Sequence, residues 1–147
     1  MGRRLALVAS LAAAAVLVAA CSGAASVPAA SQRPVASAGV QTSDGGQVTV
    51  VVSWAGPASG AVFDVKLDTH SVDLDALDLA NAVLSNDRGE TLGARPWAAP
   101  KGGHHREGTL TFDGDGPGFF ASVRWIELAL TGVGDLPVRT LRWEIGP

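Results

Sequence analysis

Between residues 61 and 68 the chain alternates without a break. Phe63, Val65 and Leu67 fall on one side of an extended backbone, and Asp64, Lys66 and Asp68 on the other. Successive strand side chains point to opposite faces, so this pattern describes a strand with one dry face and one wet face. It fits no helix, whose period is 3.6. Residues 47–54 form a β-branched run, Gln-Val-Thr-Val-Val-Val-Ser-Trp, with little helix character. Alternation returns at 105–112 (Leu110 and Phe112), at 124–131 (Ile126, Leu128 and Leu130) and at 139–145 (Leu141, Trp143 and Ile145). Residues 81–85 and 91–97 read as two further strands, with Pro96 marking an edge or an end.

The breaks between these runs carry turn chemistry. Gly56-Pro57-Ala58-Ser59-Gly60 interrupts the first two, and Asn86-Asp87-Arg88-Gly89 closes the third. Asn and Asp bond back to their own backbone, and Gly supplies positive φ. Residues 113–118 read as a long turn, and 132–137 join the last two strands. Residues 71–80 mix both periods, which suits either a short helical turn or an acidic loop around Asp73, Asp75 and Asp78. About seven short strands at turn spacings of roughly 8–12 residues predict an all-β, Ig-like, two-sheet antiparallel sandwich. The cysteine pair of true immunoglobulin domains is absent, and a closed barrel is the alternative. Trp54, Trp97, Trp125 and Trp143 are expected to supply large parts of the core. Trp125 is out of phase with Ile126, which points it to an exposed position or a sheet edge.

The N-terminus sets the location. Arg3 and Arg4 precede an apolar run from Leu5 to Ala20, interrupted only by Ser10. A basic start and a short apolar run ending in small residues is the pattern of a secretory signal peptide. The run is shorter than the ~20 residues a spanning helix needs. Its end, Val18-Ala19-Ala20-Cys21, resembles the lipobox of bacterial lipoproteins. That resemblance implies cleavage before Cys21, acylation of its sulfur, and a chain held extracytoplasmically on the cell membrane or envelope. Cys21 is the single cysteine, so it forms no internal disulfide. The expected organisation is a signal peptide at 1–20, the lipidated Cys21 with a flexible linker over 21–43, and a β-sandwich at 44–147. The linker reading rests on its Ser, Ala, Gly, Gln and Pro content, which buries too little to offset its ordering entropy.

Charge narrows the partners. With Arg3 and Arg4 removed, 14 acidic side chains face the remaining basic ones of the original 11, a formal charge of about −5. No basic patch forms, so nucleic acid is not expected as a partner. The membrane contact is expected through the lipid alone, with an envelope protein as a further partner.

All three histidines lie in two short segments, Asp68-Thr69-His70-Ser71 and Gly102-Gly103-His104-His105-Arg106-Glu107. The pieces Leu67-Asp-Thr-His-Ser-Val-Asp-Leu74, Asp87-Arg88-Gly89, Pro96-Trp97 and Gly102-Gly-His-His-Arg-Glu-Gly-Thr-Leu110 resemble a domain of small exported bacterial proteins and lipoproteins that has no established activity, over nearly the whole stretch after the linker. The resemblance supports the extracytoplasmic setting and transfers no catalytic residue.

Asp68 and His70 share one face of a strand, being two apart. With His104 or His105 they supply the donors of a Zn²⁺ or Cu²⁺ sphere, provided the Gly102-Gly103 turn is irregular enough to bring them together. Arg106 and Asp73 are further candidates for a binding surface. A blue-copper centre is excluded, since it needs a free cysteine thiolate. Asp113-Gly114-Asp115-Gly116 resembles the start of an EF-hand loop but lacks its later ligands. No nucleophile elbow and no phosphate loop is present, so the chain does not read as an enzyme. The expectation is a non-catalytic binding module without a cofactor, with the metal-binding envelope protein as the alternative.

Overall fold

The computed structural model describes residues 38–146 apart from Asp115. Cys21, the signal segment and the linker as far as residue 37 lie outside the described residues. The elements are β1 (Gly39–Ser43), β2 (Val48–Trp54), a 3₁₀ turn (Pro57–Ser59), β3 (Val62–Thr69), β4 (Val83–Asn86), β5 (Thr91–Gly93), β6 (His105–Thr111), a short helix α1 (Gly116–Phe120), β7 (Trp125–Val133) and β8 (Leu136–Glu144). They form two four-stranded sheets, ordered β1-β2-β3-β6 and β5-β4-β7-β8. All of the strand pairs are antiparallel. The architecture is the expected all-β two-sheet sandwich.

Each alternating run became a strand with the expected inner face. Val48, Val50, Val52 and Trp54 of β2 are buried, as are Phe63, Val65 and Leu67 of β3. The second sheet answers with Leu84, Ile126, Leu128, Leu130, Leu141 and Trp143. Aromatic rings fill one part of the interface. Trp143 lies 5.4 Å from Phe63 in a tilted arrangement and 6.1 Å from Trp54 edge-on, and Phe120 of α1 stacks against Trp54 at 5.4 Å, all within the range that aromatic pairs prefer. Trp125 takes the opposite side, where the Arg142 guanidinium stacks 3.9 Å from its ring centroid. That is the outward placement its phase implied.

Two local readings change. Residues 39–43, expected in the linker, form the edge strand β1 against β2. Its pattern runs against the rule, since Val40 faces solvent at 63% exposure while Gln41 and Ser43 are half-buried. Backbone pairing and the opposite sheet hold it instead. Trp143 Nε1 donates to the Gly39 carbonyl at 3.0 Å, and Arg139 Nη1 donates to the Ser43 carbonyl at 2.9 Å. The expected long turn at 113–118 contains the start of α1, which carries Phe119 and Phe120 into the core.

The β7–β8 hairpin closes through Gly134 and Asp135, between the paired residues Val133 and Leu136. Gly134 has φ 64°, and a Cβ on it would lie 2.1 Å from the Gly46 carbonyl oxygen. Gly132 has φ 70° with nothing within 4 Å of a Cβ. Gly134→Ala therefore meets both backbone strain and a collision, and is expected to cost about 2–3 kcal/mol. Gly132→Ala meets the strain alone and is expected to cost about 1 kcal/mol. Urea unfolding of the pair checks this. Equal losses would refute the close approach of the hairpin tip to the β1–β2 turn.

Candidate functional site

The register of the first sheet lays three polar residues side by side. Thr49 of β2 stands opposite Asp68 of β3, and Asp68 opposite His105 of β6. Their chain neighbours Val48, Thr69 and Arg106 are buried, so the three themselves face outward. They line an open depression of about 370 Å³ with Gln47, Thr69, His70 and Ser71.

A hydrogen-bond network shapes its wall. His105 Nδ1 lies 2.7 Å from Asp68 Oδ1. A carboxylate only accepts, so Nδ1 carries a proton and donates it to Asp68. Thr69, turned inward, donates to the Gln47 carbonyl at 2.6 Å and accepts from the amides of Ser71 and Val72 at 3.2 and 3.3 Å. This hydroxyl turns the chain directly after β3 and sets His70 and Ser71 at the rim. Ser71 Oγ donates to Gln47 Oε1 at 2.7 Å, and Gln47 Nε2 donates to Asp135 Oδ2 at 2.6 Å.

The candidate residues from the sequence divide. Asp68, His70 and His105 come together at the depression. His104 is exposed and is not among the lining residues; its backbone carbonyl accepts from the Thr69 amide at 3.0 Å. Asp73 is exposed in the loop after β3, where its carboxylate accepts from the Asp75 amide at 3.0 Å. Asp113 pairs with Arg95, and Asp115 lies outside the described residues. Among the described residues no group of three or more His, Cys, Asp or Glu side chains is placed to hold a metal ion.

Arg106 is a correction: it is no surface residue. Only 5% of it is exposed, and its guanidinium donates to the carbonyls of Pro100 (3.0 Å), Leu74 (2.6 Å), Leu77 (2.5 Å) and Ala99 (3.0 Å). Its Cζ lies 4.7 Å from the Trp97 ring centroid. The five N–H groups of a guanidinium suit such a cluster of oxygens. Parity could have revealed this placement, because Arg106 shares the side of β6 that buries Leu110. Charge suggested the opposite, and packing prevailed.

The loop after β3 is tied to the Gly102-Gly103 turn a second time. Asp75 Oδ1 accepts from the amides of Gly102 and Gly103, each at 2.9 Å, and the Leu74 amide donates to the Gly103 carbonyl at 2.9 Å. The Gly103 amide first, with that of Gly102, holds the Asp75 carboxyl below the usual range for an aspartate. Arg106 and Asp75 together fix the turn from which His105 enters β6. Gln47 and Thr49 reach the site only through strand register, which no local motif announces.

The chain is thus an all-β sandwich bearing a polar, histidine-lined depression on the outer face of one sheet. No protein-family model, curated protein or solved structure matches it.

Proposed function

We propose that this protein is a lipid-anchored, extracytoplasmic envelope lipoprotein whose β-sandwich is a non-catalytic binding module. The observation that carries the binding reading is the row Thr49–Asp68–His105 with His70 and Ser71 beside it. Donors and acceptors there face outward on a rigid sheet, and buried neighbours hold them in place. A site so fixed loses little entropy on engaging a partner. The hydroxyl of Ser71 donates to an amide oxygen and not to an imidazole, which favours recognition over nucleophilic chemistry. The anchor reading rests on the lipobox at 18–21. Two or more acyl chains hold a protein stably at a membrane, whereas one is marginal.

Two measurements test this. Mass spectrometry of the membrane-extracted protein is expected to find an acylated Cys21, and Cys21→Ala is expected to leave the membrane fraction. A naked N-terminus ends the anchor reading. A photocrosslinking residue placed at Ser71 is expected to capture an envelope component in cells, while one at Thr140, on the second sheet, captures none. Equal labelling from both positions ends the assignment of the binding surface.

A further inference from the structure

We propose that the depression binds a neutral, hydroxyl-rich ligand, a saccharide, through the Asp68 carboxylate and the Thr49 hydroxyl. This inference rests on the reading of the depression as the binding surface and names the chemistry it takes. The lining supplies three hydroxyl residues, one primary amide, one carboxylate and two imidazoles, and no hydrocarbon side chain. An apolar ligand finds nothing to bury against there. Peptides are gripped through sheet edges, apolar or aromatic grooves, or arginine clusters. This depression lies on the face of a sheet and has none of these.

Charge removes two more classes. No lysine or arginine lines the depression, and Lys66, two residues before Asp68 on the same face of β3, pairs with Glu107 at 3.9 Å. An anion therefore meets the Asp68 carboxylate with no lysine or arginine to offset it. A cation meets a single carboxylate already shared with His105, without an aromatic cage. A neutral group is left, and it must donate as well as accept. Asp68 Oδ1 takes the His105 proton at 2.7 Å, and Oδ2 has no hydrogen bond among the described residues. A carboxylate oxygen only accepts, so its ligand group is a donor. The Thr49 hydroxyl, opposite Asp68 across the β2–β3 ladder, also has no hydrogen bond among the described residues. Residues so opposed stand about 4.5–5.5 Å apart at Cβ. Neighbouring hydroxyls of a sugar ring suit that spacing. One donates to Asp68 Oδ2 in a charge-assisted bond, and the next exchanges a bond with Thr49.

The wall of the depression is held in a costly conformation. Gln47 has φ 66°, which is uncommon for a residue other than glycine. Its side-chain amide is bonded at both ends, to Ser71 and to Asp135, and its carbonyl accepts from Thr69. Strain of this kind persists only where the surroundings fix it, and it collects at sites that clamp ligands.

The test is an array of neutral and acidic glycans probed with the full-length chain in a zwitterionic detergent that carries no sugar. Neutral glycans are expected to be retained. The best of them is then titrated as a free oligosaccharide by calorimetry, and one saturable site is expected. Asp68→Asn should weaken binding by about tenfold or more, the loss of a bond to a charged group. Thr49→Val should weaken it by about three- to tenfold, the loss of a neutral one. Thr140→Val, on the second sheet, should leave affinity unchanged. Thermal melts of each variant are run alongside. Thr49→Val removes no hydrogen bond of the described residues, so it decides the matter if Asp68→Asn melts low. The same glycan carried as a lipid headgroup in phosphatidylcholine vesicles should compete with the free oligosaccharide.

Retention of no neutral glycan overturns the proposal, as does binding indifferent to Asp68 and Thr49. Preference for acidic glycans, or binding to the vesicles alone, overturns it too. If no glycan binds while the Ser71 crosslink persists, the ligand class is wrong and the binding surface stands. If both fail, the surface itself is wrong.

Discussion

Replacing Arg106 with Met is expected to lower the melting temperature by about 15 °C or more. The side chains have similar length, but the guanidinium donates to four backbone carbonyls, those of Leu74, Leu77, Ala99 and Pro100. A buried acceptor left without its donor costs about 1–3 kcal/mol. The oxygens nearest the surface recover water, so a total of about 3–5 kcal/mol is expected. A domain of this size gains only about 5–15 kcal/mol from folding, and each kcal/mol moves its midpoint by about 4–8 °C. Arg106→Lys should recover little, because a compact ammonium cannot span four oxygens and stack on Trp97 together. The damage should be local first. Hydrogen exchange is expected to accelerate at the Leu74 and Gly103 amides, which join the loop after β3 to the Gly102-Gly103 turn. The β2–β3 ladder should exchange as before. A loss below about 1 kcal/mol would show that the guanidinium is dispensable.

A chain that starts at Asp44 is expected to aggregate, whereas one that starts at Ala38 stays monomeric and melts cooperatively. The first omits β1 and turns β2 into an edge. The strand so uncovered, Val-Thr-Val-Val-Val-Ser-Trp, has high β-propensity and carries no charge or proline. Such an edge is a template for pairing between chains. The same cut removes the Gly39 carbonyl from Trp143 Nε1 and the Ser43 oxygens from Arg139. Arg139 is 2% exposed, and burial lowers its pKa while the Asp44 carboxylate opposes that shift. Its remaining acceptors are the Val133 and Gly45 carbonyls. Size-exclusion chromatography with light scattering, followed by thermal melts, distinguishes the two chains. Equal monomer content and equal midpoints would show that β1 is only an appendage.

These two expectations mark where local reading failed. β1 is hidden from the local pattern because Val40 points to solvent while the polar Gln41 and Ser43 turn inward, so alternation gives the wrong sign. Strand pairing by backbone needs no apolar pattern, and an edge strand supported by Arg139 and Trp143 has little need of its own core residues. Arg106 runs against its charge for the opposite reason. Its parity on β6 was correct, but a charged side chain is rarely buried unless partners await it. Those partners are carbonyls of two loops whose shape no local pattern encodes. The phase of Trp125 against Ile126, by contrast, was sufficient to place it on the outer face beside Arg142.

The alternation in residues 47–54, 61–68, 124–131 and 139–145 was enough to establish strands and their dry faces, because the two-residue period belongs to a single extended chain. Which strands lie together is not a property of any one of them. The row Thr49–Asp68–His105 exists because β2, β3 and β6 pair in one particular register. A shift of one residue would turn every side chain of a strand to the opposite face. That register is held by the fit of two sheets around Trp54, Phe63 and Trp143 and by two buried guanidinium groups. Contacts between residues tens of positions apart thus decide which polar groups meet at the surface, and only the packed structure contains them.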